Sequence, residues 1–218
     1  MKTHRAQLIA ALLLSAALFA ALAILRATPF FVALDHAASA KIAALRFDTL
    51  TVIVASLTEI LSVQFMIVAF GGFVLALWWG GEKRQAADFL LSIVLGVLFF
   101  VIAKAIGHVA RPDGGLLDVA GSSFPSGHAT IATIFFIFLS HLFEETRPRR
   151  VFLFLFNLLA LCMILAVCFS RIYLGVHWLS DVAGGMLVGV FSTSAARLAM
   201  HDYRSRSRTS RSASRRAA

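Results

Sequence analysis

Long apolar runs alternate with short polar ones along most of the chain. Runs at roughly 7–26, 60–79, 87–107, 127–145, 151–170 and 179–199 each approach the ~20 residues that a helix needs to cross a bilayer core. They predict six transmembrane helices. The stretch 35–58, "DHAASAKIAALRFDTLTVIVASLT", mixes charges with apolar residues at near-helical spacing. With Lys41, Arg46 and Asp48 inside it, it reads as an amphipathic helix on the outer membrane surface and not as a seventh span.

The polar connections give this ladder a direction. "MKTHR", "GGEKRQ" (80–85), "ETRPRR" (145–150) and the Arg-rich end are short and basic, and with six spans all fall on one side. The positive-inside tendency makes that side cytoplasmic. Residues 27–59, 108–126 and 171–178 then face outward, toward the periplasm or its equivalent.

Composition agrees. Of 218 residues, 60% are hydrophobic and 14% charged, with a mean hydropathy of +0.86. That excludes a soluble domain and predicts an all-α integral membrane protein. The Ala- and Arg-rich composition points to a bacterial inner membrane. The chain divides into a membrane anchor and the start of an outer loop (1–34), a helical bundle (35–200) and a basic tail (201–218). The first segment has features of a signal peptide, but its length of about 19 residues favours a retained anchor. The net charge of +9 is concentrated, with six arginines between Arg204 and Arg216. This low-complexity tail has nothing to build a core from, so it predicts a disordered cytoplasmic end that touches anionic lipid heads and not nucleic acid. Cys162 and Cys168, six residues apart on one helix, point about 120° from each other and cannot bridge.

Three polar clusters interrupt the apolar pattern, all on the outward side. In "KAIGHVARP", Lys104 and Arg111 are seven residues apart, so a continuing helix would hold them on one face roughly 10 Å apart. A snorkelling lysine and an interfacial arginine would look the same. In "GSSFPSGHA" (121–129), Pro125 and Gly127 punctuate a turn. A helix starting at about Ser126–His128 offers free N–H groups to an anion, with Ser126 as its N-cap and His128 in its first turn. In "SRIYLGVHWLSD" (170–181), His177 and Asp181 stand at i, i+4. Asp181 can accept the Nδ1 proton of His177 and leave Nε2 nucleophilic, though a carboxylate at a helix start also complements the macrodipole. Gly175 permits a tight return, and Tyr173 and Trp178 read as an interfacial aromatic belt.

Together the clusters bring Lys104, Arg111 and Arg171, two histidines and one aspartate to one depth. Ionisable groups at membrane depth are costly and usually functional. Three cations would repel a divalent metal but suit a phosphate, which Arg binds with paired donors and Lys as a point charge. The chemistry indicated is phosphoryl transfer through a phosphohistidine.

At these residues the sequence resembles the type-2 phosphatidic acid phosphatase family, relatives of glucose-6-phosphatase and the vanadium haloperoxidases. The family signature stands here as Lys104…Arg111-Pro112, then Pro125-Ser126-Gly127-His128, then Ser170-Arg171…His177…Asp181, at full spacing and in order over roughly residues 35–200. The resemblance implies a haloperoxidase-like helical core. It makes His177 the nucleophile, Asp181 its orienting partner and His128 the acid for the leaving oxygen, then the base for water. Lys104, Arg111, Arg171, Ser126 and Gly127 would hold the phosphate, with no metal or other cofactor. His108, one turn from Lys104 and Arg111, receives no role.

The expected activity is an outward-facing lipid phosphate or diphosphate phosphatase acting on undecaprenyl diphosphate, phosphatidic acid or phosphatidylglycerol phosphate. A phosphotransferase passing the group to a lipid acceptor such as lipid A would use the same site. A transporter or channel predicts charges across the membrane depth, whereas these gather at one face. The anchoring spans exclude a soluble haloperoxidase.

Overall fold

A computed structural model describes the backbone of residues 2–60 and 63–216, and side chains for 5–56, 58 and 65–201. The described residues form eight helices: α1 (Lys2–Leu25), α2 (Pro29–Ala43), α3 (Asp48–Ile60), α4 (Val63–Trp79), α5 (Lys83–Gly107), α6 (Gly127–Glu145), α7 (Arg150–Tyr173) and α8 (Leu179–Arg216). Segments of α1, α5, α6, α7 and α8 are long and apolar enough to cross a membrane. Large apolar side chains such as Leu13, Val68, Ile102 and Phe154 point outward from the bundle. That is the surface expected against lipid, and the protein is an all-helical integral membrane protein. The remaining predicted crossing, α4, has 17 residues. At 1.5 Å per residue they reach about 26 Å, slightly less than a ~30 Å hydrocarbon core.

One sequence expectation changes. The stretch 35–58 is two helices and not one: Pro29 starts α2, the chain turns at residues 44–47, and Asp48 opens α3. A proline at the first helical position and a carboxylate in a first turn both favour a start there. At the other end of the chain the α8 backbone continues to Arg216.

The centre of the bundle is α8, which packs against α1, α5 and α6. Small residues permit this. A Cβ at Gly185 would collide with the Ser126 carbonyl oxygen, and one at Gly189 with the Cβ of Thr133, so α6 and α8 meet almost backbone to backbone. Thr130, Thr133, Ser192 and Thr193 satisfy their buried hydroxyls on carbonyls four residues earlier in their own helices. An aromatic cluster fastens α4 to the other side of this core. Phe89 and Phe138, with ring centroids 4.7 Å apart, pack beneath Phe70, Phe73 and Phe135.

At one end of the bundle Arg197 of α8 lies 3.5 Å from Asp88 and 3.9 Å from Glu145, tying α5, α6 and α8 together. Gln85 donates to Glu145 at 2.8 Å in the same group. All three clusters of the signature lie at the opposite end.

Candidate active site

The return between α7 and α8 carries the histidine. Leu174 ends α7, Gly175 takes a left-handed conformation (φ +69°), and α8 begins at Leu179. His177 therefore precedes the helix, while Asp181 lies in its first turn. Its Nδ1 is 3.4 Å from Asp181 Oδ2. The same carboxylate oxygen accepts the Trp178 N–H at 2.7 Å, closing the start of α8 as a capping residue would. The structural and chemical readings of Asp181 thus hold together in one atom. Both side chains are buried, at 4% and 0% exposure. With Nδ1 facing a carboxylate, the tautomer favoured at His177 leaves Nε2 as the free nitrogen. Burial holds this imidazole below its ordinary pKa, and the Arg111 and Arg171 charges push the same way against Asp181.

The sequence reading missed Ser123. Its hydroxyl donates to Asp181 Oδ2 and lies 3.5 Å from His177 Nδ1. It stands inside the second cluster, but no local spacing relates it to residues more than fifty positions away.

The second cluster forms the start of α6, with Ser126 at the N-cap position and Gly127 first in the helix. Its backbone is tied to the first site element: Ser126 N–H donates to the Asp181 carbonyl at 3.0 Å. Ser126 Oγ does not cap its own helix, and is buried with no hydrogen-bond partner. The first N–H groups of α6 have no carbonyl within the helix to bond, and they begin beside that hydroxyl.

The cations arrive from three elements. Lys104 lies in the last turn of α5, its Nζ 5.0 Å from the centre of the Phe100 ring. Arg111 does not share that helix. α5 ends at Gly107 because His108 adopts a left-handed conformation (φ 34°), so a loop carries Arg111 to the site. There it donates to the Val176 carbonyl at 2.6 Å and to those of Ala120 and Ser122 at 3.3 and 3.4 Å. Arg171, in the last turn of α7, is only 3% exposed, and its Nε and Nη1 have no partner in the protein. An unpaired buried guanidinium is costly, so an anion is its natural complement.

A cavity of about 320 Å³ is lined by Lys104, Arg111, Gly127, His128, Arg171 and His177. Ser126 and Asp181 adjoin these residues in the chain or through hydrogen bonds. Apolar side chains complete the lining, among them Met66 of α4, Val97, Phe100 and Val101 of α5, and Ile131 of α6. A second, apolar space of about 170 Å³ adjoins it and shares Met66, His128 and Ile131. Among the described residues, no group of three or more His, Cys, Asp and Glu is placed to hold a metal ion. Of the two aromatic residues read as an interfacial belt, Tyr173 is wholly buried instead, its hydroxyl 2.9 Å from Thr51 Oγ1, whereas Trp178 stays partly exposed and its Nε1 donates to the Ala110 carbonyl at 2.9 Å.

Comparison with known proteins follows the same lines. The PAP2 superfamily model matches residues 5–205. An Escherichia coli K12 protein named "Putative undecaprenyl-diphosphatase YbjG" is 30% identical over 137 residues, which are 56% of this chain and 62% of that one. The chain thus spans a little under two thirds of that relative's length. The phosphatidylglycerophosphatase B of Bacillus subtilis 168 is 28% identical over 170 residues, 72% of this chain and 78% of that one. The crystal structure of a transmembrane PAP2-type phosphatidylglycerolphosphate phosphatase from Bacillus subtilis has the same fold. Its TM-score is 0.73 at 22% identity, over 85% of this chain and 93% of that one.

Proposed function

The chain belongs to the PAP2 superfamily, and from that premise we propose that it is a metal-independent lipid phosphate or diphosphate phosphatase working through a phosphohistidine on His177. The observation that carries this reading is the mixed lining of the cavity. Unpaired cationic donors and a carboxylate-backed histidine line it together with apolar side chains from three helices. A phosphate suits the first group and a hydrocarbon chain the second.

In the first step His177 Nε2 attacks phosphorus in line with the leaving oxygen. The N–P bond forms, the P–O bond breaks, and His128 gives its proton to the departing oxygen. Lys104, Arg111, Arg171 and the start of α6 stabilise charge on the non-bridging oxygens. In the second step His128 takes a proton from water, the water oxygen attacks phosphorus, and the N–P bond breaks. Inorganic phosphate leaves and His177 returns to neutral. Asp181 balances the positive charge that the imidazole carries in between.

The substrate classes supported by the relatives' names are undecaprenyl diphosphate and phosphatidylglycerol phosphate, with phosphatidic acid as a third lipid of the same chemistry. The topology that goes with this reading has α4 as a sixth crossing and α2–α3 at the outer surface. Basic segments 80–85 and 145–150 lie at the end away from the site, which supports a periplasmic active site and cytoplasmic termini in a bacterial inner membrane.

Phosphate release by the detergent-purified protein, measured on these lipids and a water-soluble phosphate ester beside His177→Ala, tests the reading. Release from a lipid that the substitution abolishes is the expected result. No phosphate release, with the phosphoryl group instead recovered on an added acceptor lipid such as lipid A, would replace hydrolysis by phosphotransfer.

A further inference from the structure

Asp35 is a buried carboxylate, 8% exposed, on a helix that the reaction above does not use. Both its oxygens are engaged by one residue 145 positions away. Ser180 N–H donates to Oδ1 at 2.8 Å, and Ser180 Oγ donates to Oδ2 at 2.6 Å. Ser180 lies immediately before Asp181. The first turn of α8 is therefore capped by two carboxylates: Asp181 takes the Trp178 N–H and Asp35 takes that of Ser180. Both also complement the positive end of the helix macrodipole.

The division matters for His177. Asp181 Oδ1 is buried and has no hydrogen-bond partner. If Asp35 were absent, the two buried donors of Ser180 would need a new acceptor. The Asp181 carboxylate, next in the chain and with one oxygen unpartnered, would be drawn toward them. Turning toward Ser180, it would leave the imidazole 3.4 Å away without its partner. The other side of the same return is held by the junction of α2 and α3. Arg46 Nε donates to the Tyr173 carbonyl at 2.8 Å and its Nη1 to that of Gly114 at 3.3 Å.

We propose that Asp35 is a positioning residue for the phosphoryl-transfer site, holding Ser180 so that the Asp181 carboxylate stays on His177. The inference rests on the phosphatase reading for its kinetic arm only. Asp35→Ala is expected to lower kcat by about 100-fold, the scale of a misplacement near 1 Å, with KM little changed. The acid limb of kcat/KM moves to lower pH, because an imidazole that loses its carboxylate protonates less readily. Asp35→Asn keeps an acceptor for the Ser180 N–H and recovers most of the rate. Ser180→Ala adds little further loss in the Asp35→Ala background, since the two side chains act as one unit. Lys41→Ala, exposed on the same helix, leaves kinetics unchanged.

A non-kinetic arm separates the two claims. Amide exchange across residues 178–181 should be about tenfold faster in Asp35→Ala, the loss expected for a charge-assisted hydrogen bond. Unchanged exchange overturns the positioning role whatever the enzyme turns over. So does a rate loss that Asp35→Asn shares fully and that leaves the acid limb in place. Wild-type protein that releases no phosphate overturns the phosphatase reading instead.

Discussion

His177 sits among opposing influences, and they set its pH behaviour. Burial and two arginines disfavour its protonation, while Asp181 favours it. If His177 is the nucleophile, as proposed above, the acid limb of kcat/KM is therefore expected below the ordinary imidazole pKa of about 6.5. In Asp181→Asn that limb should move lower still, while kcat falls. A limb displaced upward in a pH–rate series would mean that Asp181 does not stabilise the imidazolium. His177→Ala should cost about 1,000-fold or more in rate. Ser123→Ala removes one donor to the Asp181 carboxylate, a loss of about 1 kcal/mol, and should lower kcat several-fold at constant KM. At this scale the sequence spoke clearly where the chemistry is local. Lys104, Arg111, Ser126, His128, Arg171, His177 and Asp181 were all legible from spacing and motif, and the structure gathers them at one cavity. Ser123, Asp35 and Arg46 were not, because each acts through partners 54 to 145 positions distant.

Helices were legible as apolar runs, and their contacts were not. The runs at 87–107, 127–145 and 151–170 became α5, α6 and α7 within a few residues. The division of 35–58 was hidden because no proline or glycine marks the backbone turn at 44–47 that separates the two helices. The end of α5 before Arg111 was hidden for a related reason: it is set by His108, a residue type that rarely takes a left-handed conformation. What unites α6 and α8 is the absence of side chains at Gly185 and Gly189. Gly189→Val should force the helices apart at Thr133 and cost about 1–3 kcal/mol as overpacking. The melting temperature in detergent reads this directly. Activity should fall with it, since the start of α6 bonds to the Asp181 carbonyl.

Across the whole molecule, charge is sorted to the two ends of an apolar bundle. The cavity itself is lined by three cations, Lys104, Arg111 and Arg171, and by no carboxylate among the described residues, and it should take up oxyanions in preference to metals. Activity is expected to persist in EDTA and to fall with vanadate, a mimic of five-coordinate phosphorus. Loss in EDTA that a divalent ion restores would require a different mechanism. At the other end, Arg197→Met leaves Asp88 and Glu145 without their shared cation. It should lower the melting temperature while leaving kcat/KM near wild type, because no atom of that group reaches the cavity.

The cavity takes Lys104, Arg111, His128, Arg171 and His177 from α5, α6, α7 and the loops that follow α5 and α7, whereas α4 contributes Met66 alone among the described residues. α4 is attached to the rest of the bundle through Phe70 and Phe73, which pack on Phe89 and Phe135. On the phosphatase reading proposed above, variation at that seam should reshape the apolar part of the cavity while leaving the phosphate-binding side chains in place. Such a scaffold would be modular: relatives could diverge in which lipid they accept while keeping the same chemical step.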